Sequence, residues 1–301
     1  MATNEHLVPL SEDFSATVFL DKPVFLGIAL MTAIVEQGRF DLVPLMNMTK
    51  QVAPDISLYM QGPDYTIMMF QARTAMRESM WRPYVQEDSL FLKEGAGHVV
   101  GHQSHVMTYA RSATKEGKVR AALVLSQLIA MLAPSAVLWC PAYKLTSGRA
   151  FSWVLSKMLP GNELPLPVWC RFGVEQTSQN PSLARVTTLG LGHVLGHEVR
   201  TPPVPAPDAH MAIFNANSML SWLVTGANPL TAGDTMGVEG TEHFFRIEAA
   251  GQVEGVPLLS INPGVASAQD QARISDPANV TDPRAGEGRV AGLFSKVFRR
   301  T

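Results

Sequence analysis

The fold is decided by residues 102–140, which read HQSHVMTYARSATKEGKVRAALVLSQLIAMLAPSAVLWC. His102–Ala110 is rich in residues that favour strands, and Ala136–Cys140 is a short apolar run typical of a buried strand. Between them, Lys118–Leu132 is strongly apolar and too long for an ordinary strand, which predicts a core helix. This stretch therefore predicts a strand, a covering helix and a second strand.

The same kinds of element are predicted on both sides. Upstream, a strand at Ser15–Leu20 precedes a helix that Pro23 opens, and Ile56–Met60 and Tyr65–Ala72 form a hairpin. Strands that come in pairs with helices between them indicate an α+β fold, a largely antiparallel sheet with helices packed on one face. A doubly wound parallel sheet is the alternative. The downstream elements are helices at Arg149–Leu159 and Asp208–Val224, and strands at Leu166–Gln176, Ala184–Gly192, His243–Ala249 and Pro257–Ile261.

Composition places the chain among globular proteins. Its 301 residues, 46% hydrophobic and 17% charged, suffice for one large or two small domains with a core. This excludes a disordered, collagen-like or disulfide-scaffold chain. The balance of 24 basic and 26 acidic residues creates no global field that would gather nucleic acid, so no nucleic-acid partner is predicted.

Several local features predict a cytoplasmic protein. Met1–Ser15 lacks the basic start and apolar run of an export signal. The longest apolar stretches, Val24–Val35 and Val119–Ala133, are shorter than the roughly 20 residues that cross a bilayer. Cys140 and Cys170 lie in apolar segments and are interpreted as reduced core residues, which suits a reducing compartment.

The end of the chain differs in composition from the rest. We expect a globular body over residues 1–263, with a possible division into 1–95 and 96–263. Residues 264–288 have no aromatic residue and few large aliphatics, which predicts a flexible linker. Residues 289–301 are predicted to form a cationic amphipathic helix that docks on its own domain, in a partner's groove or on an anionic membrane. Its contact residues would be Leu293, Phe294, Val297, Phe298, Arg299 and Arg300.

A near repeat, GHVVGH at 97–102 and GHVLGH at 192–197, raises the question of a metal. Two histidines four residues apart can share one zinc on a helix. These segments carry two glycines each and adjoin strands, so we predict extended backbone, on which the rings would stand about 13 Å apart. The sequence therefore predicts no metal and no cofactor. The residues of a metal-site alternative are His98, His102, His193, His197 and Glu198.

Other chemical signals are weak. There is no Gly-x-Ser-x-Gly elbow, no phosphate-binding Gly-Lys-Ser/Thr loop and no Cys-x-x-Cys pair, so no catalytic residue is assigned. Trp139, Trp153 and Trp169 lie in the apolar centre of the chain and are interpreted as core residues.

Three stretches together resemble a bacterial family catalogued as a domain of unknown function, family 4261. They are LPLPVW at 164–169, TTLGL at 187–191 with GHEV at 196–199, and GDTMG at 233–237. HQSHV at 102–106 and AVLW at 136–139 are similar to the longer members, so the likeness covers roughly residues 95–263. The resemblance implies a compact intracellular α+β fold and no established activity. Where the family has an acidic residue, this chain has Arg200, which disfavours a paired-carboxylate site.

The GDTMG turn has two interpretations. Its glycines permit positive φ, and Asp234 can bond its own backbone to fix the turn. Alternatively, Asp234 and Thr235 contact a ligand or a partner.

These observations predict a non-enzymatic intracellular protein-interaction module, by analogy toxin-neutralising or secretion-associated. One alternative is a metal-dependent hydrolase that uses the Gly-His segments. The other is a peripheral membrane protein recruited by residues 289–301.

Overall fold

The computed structural model describes residues 14–24, 26, 28–38, 40–46, 56–85, 95–161, 163–178, 180–209, 213, 220–221, 224, 230–236 and 244–264. The chain divides into two compact units, Met1–Arg171 and Phe172–Thr301. Each unit is built around its own sheet. The predicted linker, residues 264–288, and the predicted helix, residues 289–301, lie outside the described residues except for Gly264.

The first unit contains a seven-stranded sheet in the order β2-β3-β4-β5-β1-β6-β7. Every neighbouring pair is antiparallel. The central strand β1 pairs along its whole length with β5, from Phe14 opposite Ala110 to Leu20 opposite Ser104. The strands are β1 (Phe14–Leu20), β2 (Val43–Met46), β3 (Ile56–Gln61), β4 (Thr66–Ala72), β5 (Ser104–Arg111), β6 (Ala136–Trp139) and β7 (Lys144–Ser147).

Among the described residues of this unit, six α-helices accompany the sheet. They are α1 (Ile28–Gly38), α2 (Glu78–Trp81), α3 (Gly95–Val99), α4 (Lys115–Met131), α5 (Gly148–Met158) and α6 (Leu166–Trp169). Two of the long helices, α4 and α5, begin at side-chain caps. Thr114 accepts a hydrogen bond from the Gly117 amide before α4, and Ser147 accepts one from the Ala150 amide before α5.

Helices contact both faces of the first sheet. Trp81 of α2 and Val99 of α3 pack with Phe19, Leu138 and Leu145. Trp139 follows Leu138 on β6, and its side chain points to the opposite face because side chains alternate along a strand. There it stacks on Trp169 of α6, whose indole donates to Ser126 of α4. The short helices α2 and α3 therefore cover part of the face opposite to the one that α4 and α6 contact.

The second unit contains the strands β8 (Arg171–Gln176), β9 (Leu183–Leu189), β10 (Glu198–Arg200), β11 (Val204–Pro205), β12 (Thr235–Met236), β13 (Phe245–Val253) and β14 (Val256–Pro263). Their order is β11-β9-β10-β14-β13-β12, and β8 also pairs with β9, off this path. Only β10 and β14 are shown as a parallel pair among the described strands. A helix α7 (Gly192–Leu195) separates β9 from β10.

The predicted α+β class with largely antiparallel pairing is confirmed. The chain divides at Arg171 and Phe172 and not near residue 95, because β5 is hydrogen-bonded between β4 and β1. Within Leu166–Gln176 the prediction of one strand was wrong in its first half, where Pro167 sits in the α6 turn.

Two further predictions concern single features. In the predicted helix Asp208–Val224, the described residues Ala209, Ile213, Leu220 and Val224 are helical and buried. Cys140 and Cys170, both described, form no disulfide. Among the described helices, none combines the length and apolarity needed to cross a membrane.

Candidate functional site

The two Gly-His segments are helical turns, so the prediction of extended backbone was wrong for both. His98 lies in α3 and His193 in α7. Each turn ends at a glycine with positive φ, Gly101 at 94° and Gly196 at 80°. A left-handed glycine after a helix is a common stop signal, and in both segments a strand follows within three residues. The repeat is therefore a turn that leads the chain into a strand.

His102 has both ring nitrogens committed to the backbone. Its Nε2 accepts a hydrogen bond from the Met76 amide over 2.8 Å. An acceptor at Nε2 carries no proton, so Nδ1 carries it and donates to the Val99 carbonyl over 2.6 Å. The ring is buried and meets the Phe19 ring edge-on. His102 therefore ties two loops to the sheet. Nearby, His105 Nδ1 is 2.9 Å from the Thr74 carbonyl oxygen.

Glu198 has the most elaborate contacts of the predicted site residues. Its carboxylate is buried, with 1% exposure, and accepts four hydrogen bonds. Oε1 accepts from the amides of Gly190 and Gly192, at 2.8 and 2.9 Å. Oε2 accepts from the Thr188 hydroxyl at 2.7 Å and from the Leu191 amide at 3.3 Å. These donors belong to the loop that opens α7, so the carboxylate acts as an internal anion for that loop.

The space around Gly192 explains part of this arrangement. A Cβ at Gly192 would lie 2.5 Å from Val256 Cγ1 and 3.3 Å from Glu198 Oε1. Only glycine lets this backbone approach both the carboxylate and the neighbouring strand.

The predicted metal-site residues are split between the two units. His98 and His102 belong to the first, and His193, His197 and Glu198 to the second. His98 is exposed, His193 is half-buried and His197 is buried. Within the described part of the chain, no group of three or more His, Cys, Asp or Glu side chains could hold a metal ion.

Asp234 fixes its own turn, as the first interpretation of GDTMG expects. Its Oδ2 accepts from the Thr231 amide at 2.7 Å and from the Thr231 hydroxyl at 3.0 Å. Gly233 has a φ of 101°, and the Asp234 carbonyl accepts from the Ile247 amide at 2.9 Å. Thr235 is exposed on β12, opposite Arg246. Partner contact by Asp234 and Thr235 stays a prediction.

Trp153 is not a core residue. Its side chain is 58% exposed on α5, whereas Trp139 and Trp169 are buried as predicted. Arg149 and Lys157 stand four residues before and after it, so the three side chains form one stripe along the helix. We name Arg149, Trp153 and Lys157 the Trp153 ridge.

The sequence held a signal for the Trp153 ridge. Phe151, Val154 and Leu155 fall on one side of the helix and are buried, which leaves Trp153 on the other side. Around the ridge, no ion pair joins either cation to a carboxylate of the described chain. The ridge therefore presents an aromatic ring between two positive charges that no carboxylate of the described residues neutralises.

Comparisons with known proteins found no match: no protein-family model, curated protein or solved structure is similar to the chain. The resemblance to family 4261 stays a prediction. The predicted tail contacts of residues 289–301 lie outside the described residues.

Proposed function

We propose that this chain is a non-enzymatic protein-interaction module that docks an acidic protein partner on the Trp153 ridge. The exposure of Trp153 carries the proposal. Leaving a tryptophan in water forgoes roughly 1.5–3 kcal/mol of burial free energy, so a folded protein gains when a partner covers it. Tryptophan is also the residue type most enriched among the side chains that dominate binding energy at interfaces.

The charges beside Trp153 favour an acidic partner. Arg149 and Lys157 are both exposed and make no ion pair among the described residues. Charges at the rim of an interface contribute chiefly to association rate and to the choice of partner. A partner with carboxylates on either side of an apolar pocket would match the ridge.

The contacts of the predicted chemical residues agree with an interaction role. His102, Glu198 and Asp234 direct their polar atoms at backbone groups of their own chain. Each of these contacts holds a loop or a turn in place. They are interpreted as structural residues.

Affinity purification from the protein's own cells, followed by a binding measurement with purified components, tests the proposal. Three full-length baits are compared with the wild type: W153A, the double variant R149E/K157E, and M80A as a matched control. Met80 is 57% exposed on α2, so M80A removes a comparable exposed apolar side chain from another helix.

We expect one protein that wild-type and M80A baits enrich and that W153A loses. With that protein purified, W153A should weaken binding by tenfold or more, about the cost of a hot-spot residue. R149E/K157E should slow association, and added salt should reproduce part of its effect. If every enriched protein binds wild type and W153A equally, the proposal is wrong. A change in the mass of the assembly with W153A alone would instead identify a second copy as the partner.

A further inference from the structure

The second sheet carries a polar face that no predicted site includes. Residues paired across adjacent strands share a face, and the pairing puts Thr187, Arg200, Ser260 and Glu248 in one row. Arg185 lies two residues from Thr187 on β9, so it shares the same face. The side chains between them on β9, such as Val186, point into the core.

Arg185 is held in place by neutral oxygens. Its Nη1 donates to Ser260 Oγ at 2.8 Å and to Asn262 Oδ1 at 2.7 Å. Asn262 Nδ2 donates in turn to Glu248 Oε2 at 2.6 Å, which fixes the amide so that its oxygen faces the guanidinium. One edge of the guanidinium is therefore anchored.

Within the described part of the chain, the Nε and Nη2 groups of Arg185 make no hydrogen bond. A guanidinium has five N–H groups, and the two bonds above use only Nη1. In the described part of the chain, no carboxylate forms an ion pair with Arg185. Burial lowers the pKa of Arg185, the nearby charge of Arg200 lowers it further, and Glu248 partly offsets both. This half-buried cation thus lies near a second cation, Arg200, and no carboxylate of the described residues pairs with it directly.

Arg200 is only loosely neutralised. Its Nε donates to Thr187 Oγ1 at 3.2 Å, and its Nη2 lies 3.2 Å from Glu175 Oε2. The Glu175 side chain is 59% exposed, and such a surface ion pair stabilises by about 0–1 kcal/mol. Glu198, two residues before Arg200, is already bound to its own loop. An incoming anion could therefore displace Glu175 at small cost.

We propose that Arg185 and Arg200 form a binding site for a dianionic phosphate group. Guanidinium groups bind phosphate oxygens through paired N–H donors, and two of them match the charge of a dianion. The bonds at Nη1 leave the Nε and Nη2 groups of Arg185 for the phosphate, and Arg200 supplies its own Nη2 once Glu175 moves. A carboxylate carries half the charge and would bind more weakly. The site is independent of the Trp153 ridge, which belongs to the other unit.

Calorimetric titration of the full-length protein with inorganic phosphate, at constant ionic strength, tests the site. Phosphate should bind more tightly than acetate. R185Q should weaken phosphate binding by tenfold or more, about the loss of one charge-assisted contact. R77Q is the matched control, because it removes the same charge from an exposed position of the first unit and should leave phosphate binding unchanged.

E175Q separates the proposed site from general surface charge. It removes the carboxylate that competes for Arg200, so phosphate should bind severalfold more tightly than to the wild type. This variant alters an exposed side chain on an edge strand, so it keeps the test open if R185Q does not fold. A sugar phosphate and a short phosphoserine peptide then distinguish a free ester from a phosphorylated protein segment as the source of the group.

Two results would overturn the proposal. One is phosphate binding no tighter than acetate in both wild type and E175Q. The other is equal phosphate affinity of wild type, R185Q and R77Q, which would locate binding elsewhere.

Discussion

The Thr188 hydroxyl donates a 2.7 Å hydrogen bond to Glu198 Oε2 and, from the same oxygen, accepts the Val199 amide at 2.9 Å. Thr188 therefore links the Glu198 carboxylate to the backbone of strand β10, to which Glu198 itself belongs. Both residues are buried, at 0% and 1% exposure, so the link is made away from water. Such a network stabilises the fold only while every donor keeps its acceptor.

Replacing Glu198 should destabilise the second unit. In E198Q, an amide NH₂ would replace one oxygen and face N–H or O–H donors, and in E198A all four donors would lose their acceptor. Either change should lower the free energy of unfolding by about 2–4 kcal/mol. Urea unfolding followed by circular dichroism measures this, with the exposed Glu175→Gln expected within about 0.5 kcal/mol of wild type. Equal stability of E198Q and E175Q would contradict the structural role.

Gly148 at the start of α5 should not tolerate a methyl group. A Cβ there would lie 1.7 Å from the Pro134 carbonyl oxygen, which is backbone and cannot rotate away. Gly148→Ala should therefore lower the melting temperature by several degrees, since about 1–3 kcal/mol of overpacking is expected. Gly97→Ala is the control, because α3 leaves open space around Gly97. A melting temperature equal to that of Gly97→Ala would show that the helix start can shift.

Alkaline pH should destabilise the first unit through Cys140. Burial raises the pKa of the Cys140 thiol, and hydrogen bonds with Ser15 and Thr17 only partly oppose this. The folded protein then keeps a proton that the unfolded chain releases above about pH 8.5, so stability falls as the pH rises past that value. Below about pH 8.5 the Cys140 thiol is protonated in both the folded and the unfolded chain, so this loss of stability is absent there.

Urea unfolding between pH 7 and 9.5 measures this dependence. The upper limit precedes the ionisation of Tyr65 and Tyr109, whose pKa values burial also raises from near 10. C140A should flatten the decline between pH 8.5 and 9.5. The same decline in C140A would assign it to another group.

Local sequence patterns predicted the long helices and strands and missed the short strands, which form only by pairing with a neighbouring strand. The helix at Lys118–Leu132 and the hairpin at residues 56–72 follow from apolar periodicity and turn residues over many positions. The short strands β7 and β10 have four and three residues, too few for a periodic signal. The Gly-His segments were misassigned because a glycine can follow a helix as readily as a strand. The positive φ of Gly101 and Gly196, which marks the end of a helical turn, cannot be read from the sequence.

The candidate sites were less predictable than the fold. A large apolar residue is not always buried, so the residue type alone did not show that Trp153 is exposed. Only its position on the helix, opposite the buried face, indicates this. The approach of Arg185 to Ser260 joins positions 75 residues apart, and the strand order that permits it is a property of the whole sheet. No local pattern in the sequence specifies that neighbour.

The hydrogen bond between Trp169 and Ser126 should show strong coupling in a double-mutant cycle. Trp169 Nε1 donates to Ser126 Oγ at 2.8 Å, and Ser126 Oγ donates to the Ala122 carbonyl at 2.7 Å. S126A leaves the buried indole N–H without an acceptor, which should cost about 1–3 kcal/mol of stability. In the W169F background no such donor exists, so S126A should cost measurably less. Chemical unfolding of the four proteins gives the coupling energy, and equal costs of S126A in both backgrounds would show that solvent or another group replaces the bond.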